Sequence, residues 1–332
     1  MIITRTPFRI SFFGGGTDYP AWFRKHGGAV LSTSIDKYCY LTVRYLPPFF
    51  EHRHRVVYSI VEMVREIEEI KHPVVRAVLS EMGFSRGLEI HHDGDLPARS
   101  GLGSSSSFAV GIINALSVLE GRRCGKKELA QEAIRLEQDI LKESVGCQDQ
   151  ICAAFGGLNR IEFTSSDEFS VMPLELDAER YALLEGSLML FFTGLTRMAS
   201  NVAKEKIKNL KNRENELKTM RSLVDHAQGV MRNSSNLVEE IGALLHENWL
   251  LKRSLTESVS NPLVNEIYQA GLDAGALGGK LLGAGGGGFM IFVVRSEDRE
   301  KVRDCLRDLI HVEFKFETEG SKILVCEPDL NG

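Results

Sequence analysis

Residues 95–108, Asp95-Leu-Pro-Ala-Arg-Ser-Gly-Leu-Gly-Ser-Ser-Ser-Ser-Phe108, lead from a glycine-rich loop into a helix. Pro97 ends the preceding element, and apolar residues recur at helical spacing from Phe108 to Leu119. Such a helix start presents unpaired backbone N–H groups and the positive end of the helix dipole. The glycines let a ligand approach the backbone, and the serines can cap the helix or bind a cation. The stretch predicts a polyphosphate site; a small-residue helix start without a ligand is the alternative.

The loop is different from the P-loop of Walker A proteins. That motif needs G-x-x-x-x-G-K-[ST], and neither Gly-Lys pair of the chain fits it. Gly125-Lys126 lacks the upstream glycine and is followed by Lys127, and Gly279-Lys280 has Ala274 where the first glycine would stand. If residues 95–108 bind phosphate, they therefore do so without a Walker A motif.

Composition excludes several classes of protein. The chain has 332 residues, 43% apolar and 26% charged, with a net charge of −5, which indicates a globular protein of one large domain or two smaller ones. The negative charge argues against a nucleic-acid partner. No apolar run approaches the length of a membrane span, and the N-terminal residues lack the order of a secretory signal. Six scattered cysteines indicate reduced thiols without a zinc site, so we expect a cytoplasmic protein.

The order of predicted elements favours an α+β fold. Short β-branched and aromatic runs predict strands at 2–4, 9–13, 29–34, 39–45 and 55–59, and later strands are predicted at 158–163, 187–193, 289–294, 311–316 and 323–327. Periodic apolar residues predict helices at 73–82, 106–119, 126–143, 261–274 and 297–310, and through most of 200–246 with a break near residues 233–235. Strands dominate the first part and helices the later part, which favours two domains that divide within 164–186.

Two further segments of the chain, residues 6–19 and 280–292, are rich in glycine. Residues 6–19 place Arg9 in a strand before a Gly-Gly-Gly turn that carries Asp18, and either a ligand or a tight corner would explain the glycines. In residues 280–292, Gly283, Gly285 and Gly288 satisfy G-x-G-x-x-G. A dinucleotide site requires a strand before this motif and a helix after it. Here a helix is predicted before it and a strand after it, so we reject a nicotinamide-linked oxidoreductase.

Residues 145–150, Val-Gly-Cys-Gln-Asp-Gln, place Asp149 directly after a predicted helix. An aspartate in a glycine-flanked turn can be a buried catalytic carboxylate, and it can equally cap a helix or form an Asx-turn.

Taken together and in this order, residues 5–19, 95–108, 145–157 and 280–292 resemble the GHMP kinases. Pro97-x-x-x-Gly-Leu-Gly-Ser-Ser and Lys280-Leu-Leu-Gly-Ala-Gly-Gly-Gly-Gly are the most specific motifs. The resemblance spans nearly the whole chain. It implies an N-terminal domain over 1–175, a ferredoxin-like C-terminal domain over 176–332, and an active site in the cleft between them.

The resemblance also implies an ATP- and Mg²⁺-dependent kinase and assigns roles by matching positions. Asp149 would take the proton from the attacking hydroxyl, and Arg9 would stabilise that carboxylate and the developing charge. Ser105 would bind Mg²⁺ together with Glu137, which precedes Asp149 by twelve residues, one more than in mevalonate kinases. The residues that would bind the nucleotide are Pro97, Arg99, Ser100, Gly101, Leu102, Gly103, Ser104, Ser105 and Ser106.

The substrate implied by the resemblance is a small sugar phosphate. The first motif is most similar to the kinases that phosphorylate the anomeric hydroxyl of D-glycero-D-manno-heptose 7-phosphate, on the route to GDP-heptose and surface polysaccharides. Gly15 and Gly16 stand where galactokinases have Glu-His, which would leave room for a longer sugar. The distal phosphate would need a cation, for which Arg197 and Lys37 are candidates. The expected substrate-binding residues are Gly15, Gly16, Thr17, Asp18, Lys37, Arg197, Gly285 and Gly286.

Two other functions remain open at this stage. Another sugar 1-kinase, of the fucose or galactose type, would use the same machinery. A non-catalytic nucleotide-binding regulator could share the fold, although it would not need Asp149, Arg9 and Ser105. The charged helices within 200–246 could cover the substrate or form the face of a homodimer.

Overall fold

The computed structural model describes residues 1–98, 100–195, 199–209 and 212–327. Two antiparallel-rich sheets and eleven helices occupy these ranges. The strands are β1 Ile2–Phe13, β2 Gly28–Tyr45, β3 His54–Val57, β4 Val61–Val64, β5 Leu88–Gly94, β6 Leu158–Phe163, β7 Phe169–Pro173, β8 Leu188–Phe192, β9 Ala276–Leu281, β10 Phe289–Val294, β11 Ile310–Val312, β12 Phe316–Glu317 and β13 Lys322–Cys326. The helices are α1 Pro20–His26, α2 Pro73–Met82, α3 Ser104–Leu119, α4 Lys126–Arg135, α5 Gln148–Phe155, α6 Ala178–Gly186, α7 Ala199–Asn209, α8 Glu214–Asn233, α9 Leu237–Ser254, α10 Pro262–Asp273 and α11 Arg299–Cys305.

The larger sheet is organised around the long strand β2. β2 pairs with β1 along one edge, and with β5 and β6 over different parts of its length on the other. A register shift between Pro7 and Phe8 marks a bulge opposite Asp36 and Lys37, where β2 bends and changes partners. Helix α3 packs on β1 and β2, so its N terminus comes to the middle of the sheet.

The smaller sheet has the strand order β11-β8-β10-β9. β10 lies between β8 and β9 and is buried at all six positions, which explains its continuous apolar sequence. Helix α9 packs on β9 and β10, and α8 packs on α9 and on β1 and β2 of the larger sheet. The helix pair therefore joins the two sheets, and one apolar core includes residues from both halves of the chain.

The predicted α+β class is confirmed, and several element bounds differ. α2, β6 and β10 coincide with the predicted ranges, whereas 2–4 and 9–13 form one strand, as do 29–34 and 39–45. The sequence interrupts these strands with Pro7 and with the polar pair Asp36-Lys37, and pairing with neighbouring strands carries the extended backbone across both. The helix predicted at 297–310 ends at Cys305, and β11 begins at Ile310.

The division of the chain at residue 175 does not describe the C terminus. β12 pairs with β2 and β13 pairs with β1, so the last strands return to the sheet built by the N-terminal residues. This return buries part of the edge that β1 would otherwise expose.

Candidate active site

The glycine- and serine-rich loop ends at the N terminus of α3. Gly101 and Gly103 have φ values of 86° and 77°, a conformation that favours glycine. No side chain caps the helix, which leaves its first N–H groups facing out of the loop. Leu102 is fully buried, and its carbonyl accepts a 3.0 Å hydrogen bond from the Arg9 backbone N–H. The loop is thus anchored to β1 while its glycines face the site.

Arg9 and Asp149 form a two-point ion pair beside this loop. Arg9 Nε lies 2.8 Å from Asp149 Oδ1, and Arg9 Nη2 lies 2.9 Å from Oδ2. Arg9 Nη1 donates to the Gly101 carbonyl at 2.7 Å, so one guanidinium holds both the carboxylate and the phosphate loop. A Cβ at Gly103 would lie 3.3 Å from Arg9 Cγ and 3.6 Å from Asp149 Cγ. Asp149 belongs to the first turn of α5 rather than to the turn that the sequence predicts.

Glu137 lies in a π-helical turn, Leu136–Ile140, that continues α4. The i→i+5 bond from Leu141 N to Leu136 O marks this turn, and a π turn accommodates one additional residue. The π turn lies between Glu137 and Asp149 in the chain and so takes up one residue of the spacing between them. Glu137 faces Ser106 at the start of α3.

Glu137 is completely buried, with Ser106 and Gln150 as partners. Ser106 Oγ donates to Glu137 Oε2 at 2.7 Å, and Gln150 Nε2 donates to the same oxygen. Glu137 Oε1 is buried without a hydrogen-bond partner among the described residues. Burial raises the pKa of the Glu137 carboxyl to about 7. Ser106 is thus the serine that contacts Glu137, and Ser105 is exposed; that Ser105 and Glu137 both bind magnesium stays a prediction.

Asp18 forms a second buried carboxylate in the site. It is 2% exposed and accepts a 2.8 Å hydrogen bond from the Gly16 N–H. Burial is the main cause that raises the pKa of the Asp18 carboxyl, and the nearby Asp149 carboxylate adds to it. A Cβ at Gly146 would lie 1.9 Å from Asp18 Oδ2, so residue 146 must be glycine for α5 to approach Asp18.

In the predicted substrate loop, Gly15 has free space beside it, whereas Thr17 is bonded to neighbouring backbone. A Cβ at Gly15 would meet only Ser11 Oγ at 3.6 Å and Gln148 Nε2 at 3.7 Å, so this position opens into the site. The Thr17 hydroxyl instead shares its one proton between two backbone carbonyls, that of Gly14 in the loop at 2.8 Å and that of Ala29 in β2 at 2.9 Å. Thr17 thereby holds the loop closed.

The glycine run 283–288 connects β9 to β10 as a hairpin loop. A Cβ at Gly283 would lie 2.4 Å from Gly101 Cα, and one at Gly288 would lie 2.1 Å from the Ser100 carbonyl oxygen. These two glycines therefore press against the phosphate loop. Gly285 and Gly286 lie farther along the loop, against Val259, whose carbonyl accepts from Gly286 N at 2.9 Å.

The hairpin corrects one step of the sequence argument against a dinucleotide site. A strand, β9, does precede the glycine motif, whereas no strand was predicted there. The next element is another strand, antiparallel to β9, and no helix opens at the motif. The dinucleotide interpretation therefore fails on its second requirement.

Of the two cations expected to bind a distal phosphate, the structure describes only Lys37. Lys37 Nζ lies 3.4 Å from Asp36 Oδ1 in the bulge of β2, and no hydrogen bond or ion pair among the described residues joins it to Asp18 or Asp149. Arg197, like Arg99 of the phosphate loop, lies outside the described residues. Pro97 is exposed at the start of that loop.

Sequence reasoning missed the residues that support the site from behind. Gln148 and Gln150 flank Asp149, and Ser11 follows Arg9 by two strand positions, on the same face of β1. Lys252 Nζ donates to the carbonyls of Leu281 and Gly283 at 2.6 and 2.7 Å. The position of the two glutamines next to Asp149 was a signal in the sequence that could have identified them. No sequence signal in α9 distinguishes Lys252 as a buried residue.

The model of the GHMP kinases N terminal domain matches residues 65–157, and that of the GHMP kinases C terminal domain matches residues 232–311. The first range holds the phosphate loop, Glu137 and Asp149, and the second holds the glycine hairpin. The chain belongs to the GHMP kinases. These enzymes transfer a phosphoryl group from ATP to an alcohol group of the acceptor, so the family membership confirms a kinase and its fold. No described helix is long and apolar enough to cross a membrane.

Three relatives illustrate the similarity. The D-glycero-alpha-D-manno-heptose 7-phosphate kinase of Campylobacter jejuni is 30% identical over 97% of this chain and 98% of its own length. The bifunctional fucokinase/GDP-fucose pyrophosphorylase of Arabidopsis thaliana is 27% identical over 96% of this chain and 32% of its own. A solved D-glycero-D-manno-heptose 1-phosphate kinase from Bacteroides thetaiotaomicron superposes with a TM-score of 0.80 at 23% identity, over 98% of this chain and 100% of that one, which establishes the shared fold.

Proposed function

We propose that this GHMP kinase phosphorylates the anomeric hydroxyl of D-glycero-D-manno-heptose 7-phosphate, giving the 1,7-bisphosphate. The two-point Arg9–Asp149 pair beside the N terminus of α3 carries the catalytic part of the proposal. The similarity to the Campylobacter enzyme along both chains supports the substrate. The product is a sugar 1-phosphate, the type of substrate that a nucleotidyltransferase converts to a nucleotide sugar.

Asp149 acts as the general base. Its carboxylate accepts the proton of the sugar hydroxyl while that oxygen attacks the γ-phosphorus of ATP, and the bond to the bridging oxygen breaks to release ADP. Asp149 is 28% exposed on its side chain and Arg9 only 4%, so the carboxylate can meet a substrate while the guanidinium remains behind it. Positioning and charge stabilisation supply most of the rate in phosphoryl transfer.

The N terminus of α3 and Arg9 stabilise the phosphates. The uncapped N–H groups of the helix point toward negative charge that develops on the phosphoryl oxygens. The Arg9 bond to the Gly101 carbonyl keeps this loop in register with Asp149. The Arg9 side chain therefore holds both the proton acceptor, Asp149, and the loop that would bind the phosphates.

Glu137 and its neighbouring serines fit a magnesium ion. Hard divalent cations take oxygen ligands, and magnesium is commonly held by one or two carboxylates together with substrate phosphates. The unpartnered Oε1 of the buried Glu137 supplies such a ligand, and Ser106, with the exposed Ser105, supplies hydroxyl groups. The ion would neutralise charge on the ATP phosphates.

Asp18 and the open position at Gly15 would receive the sugar. Asp18 lies close enough to Asp149 for that carboxylate to raise its pKa, and it would accept hydrogen bonds from sugar hydroxyls. A sugar at this place would bring its anomeric hydroxyl toward Asp149, and Gly15 leaves space where a larger side chain would intrude.

The test is ATP consumption with Mg²⁺ across heptose 7-phosphate, heptose, mannose, fucose, galactose and mevalonate. We expect turnover with heptose 7-phosphate, and a loss of about 10²–10⁴-fold in kcat in Asp149→Asn with nucleotide binding retained. Turnover with another acceptor alone would retain the kinase and reject the substrate. An Asp149→Asn enzyme with unchanged kcat would reject the assigned base.

A further inference from the structure

A surface cavity of about 590 Å³ lies where α7, the C-terminal end of α9 and the start of α8 meet. Its lining includes two arginines, Arg213 and Arg253, together with Glu205, Asn209 and Thr256. None of these residues takes part in the ion pairs and hydrogen bonds around Asp149. The cavity is therefore a separate place with its own set of polar groups.

Two contacts connect this cavity to the candidate active site. Leu217 Cδ2 would lie 3.2 Å from a Cβ at Gly16, and the Leu217 N–H donates to the Arg213 carbonyl at 3.1 Å. Arg213 thus stands one helical turn, about 5.4 Å, from the residue that covers the sugar loop. On the other side, Lys252 binds the Gly283 carbonyl and precedes Arg253. The lining residue Arg213 therefore lies one turn of α8 from the contact with the sugar loop, and the lining residue Arg253 follows the lysine that holds the β9–β10 hairpin loop.

The lining holds two arginines and two glutamates, Glu205 and Glu257, so a preference for an anion can only be local to Arg253. No hydrogen bond or ion pair among the described residues engages the Arg253 guanidinium, which lies 6.0 Å from the centroid of Trp249. Arg213 is held at 2.9 Å from Glu216 on its own helix. Glu205 accepts the Thr256 hydroxyl at 3.2 Å, and it and Glu257 are exposed at the rim, where water screens their charge more strongly.

We infer that this cavity binds the phosphate at the distal end of the sugar substrate, with Arg253 as the principal cation and Arg213 as the second. This assignment rests on the proposed function. Arginine suits a phosphate because its planar group offers parallel N–H donors. A sugar with its anomeric end at Asp149 that extended past Gly16 would meet Leu217 of α8, one turn from Arg213. The cavity would take the role for which the sequence suggests Arg197 and Lys37; the Lys37 ammonium faces Asp36, and Arg197 lies outside the described residues.

The variant Arg253→Met tests the assignment, because methionine keeps an unbranched stem near Trp249 and removes the charge. The enzyme is assayed with heptose 7-phosphate and with unphosphorylated heptose. We expect KM for the phosphorylated sugar to rise about 10–100-fold, as for the loss of a charge-assisted contact, with kcat/KM for heptose unchanged. Arg213→Met is expected to give a smaller rise, and Arg253→Lys to recover part of the loss.

Arg295→Met is the matched control, since Arg295 is a partly exposed arginine that pairs with Glu239 at 2.9 Å and lies outside the cavity. Equal losses on both sugars in Arg253→Met, or an unchanged KM for the phosphorylated sugar, would overturn the assignment while leaving the proposed function in place. A wild-type enzyme that acts on heptose and ignores heptose 7-phosphate would overturn the proposed substrate and this assignment together.

Discussion

Glu137 shows how a single buried carboxylate can couple stability to metal binding. Its side chain is removed from water and receives two donors on Oε2 and none on Oε1. Burial disfavours the charged form, so the pKa of the carboxyl rises from 4.5 to about 7. A cation at Oε1 would reverse this preference and release the proton.

We expect the free energy of unfolding of the metal-free wild type to fall, through this group, as pH rises from about 4.5 to 7. In that range the unfolded chain releases the Glu137 proton and the folded chain retains it, and above it the loss is constant. The variant Glu137→Gln should remove this dependence and gain about 3 kcal/mol over wild type at pH 8. Urea unfolding at pH 5 and pH 8 in EDTA measures the difference.

The same urea unfolding is repeated with magnesium in place of EDTA. At pH 8 it should stabilise the wild type and leave Glu137→Gln unchanged. The exposed Glu247 provides the control, since Glu247→Gln should follow the wild type in both arms. Parallel pH curves for wild type and Glu137→Gln would contradict the buried, protonated carboxyl.

At the scale of elements, the site depends on two loops that touch through glycines. The loop before α3 and the hairpin loop between β9 and β10 approach so closely that a Cβ at Gly283 would lie 2.4 Å from Gly101 Cα. Backbone cannot move aside as a flexible side chain can, so any side chain here must separate the loops. The phosphate loop thus takes its shape partly from a hairpin almost two hundred residues later in the chain.

The variant Gly283→Ala should raise KM for ATP at least about 10-fold, an effect of roughly 1.4 kcal/mol, because the phosphate loop is displaced. Gly83→Ala is a close control: Gly83 has a φ of 68° and Gly283 one of 67°, so both variants carry the strain of a left-handed alanine. A Cβ at Gly83 would meet no atom within 4 Å. Similar KM values in the two variants would show that backbone strain, and not contact between the loops, matters.

At the scale of the whole molecule, a buried lysine joins the two sheets. Lys280 on β9 is 3% exposed, and its ammonium donates to the carbonyls of Ser11 and Phe12 at the end of β1, at 2.9 and 2.8 Å. Lys252 holds the end of β9 and the hairpin loop from α9. The charge-assisted bonds of Lys280 fix the smaller sheet against the strand that carries Arg9, and those of Lys252 fix α9 to the smaller sheet.

We expect Lys280→Met to lower the free energy of unfolding by about 2 kcal/mol, because two buried carbonyls lose a donor. The same variant should lower kcat, since the hairpin loop would shift relative to Arg9. Urea unfolding and steady-state kinetics measure both effects. Lys301→Met is the control, at a lysine 70% exposed on its side chain; if Lys280→Met matched it in stability, the ammonium would not be joining the sheets.

The sequence alone determined the α+β class, the bounds of α2, β6 and β10, and the segments that form the site. Its local signals are strong there, because Pro73 opens α2 and Gly83 ends it in the left-handed conformation. Glycine runs and their order along the chain carried the family resemblance, which the match of both domain models confirms.

Tertiary structure alone decided which neighbours complete the site. Ser105 and Ser106 are adjacent in sequence, yet they point about 100° apart around α3, and only the packing of the π turn selects Ser106 for Glu137. The return of β12 and β13 to the first sheet, and the burial of Lys280, depend on contacts between residues more than a hundred positions apart. Periodicity and turn signals report short-range geometry, and such long-range pairings leave no mark in them.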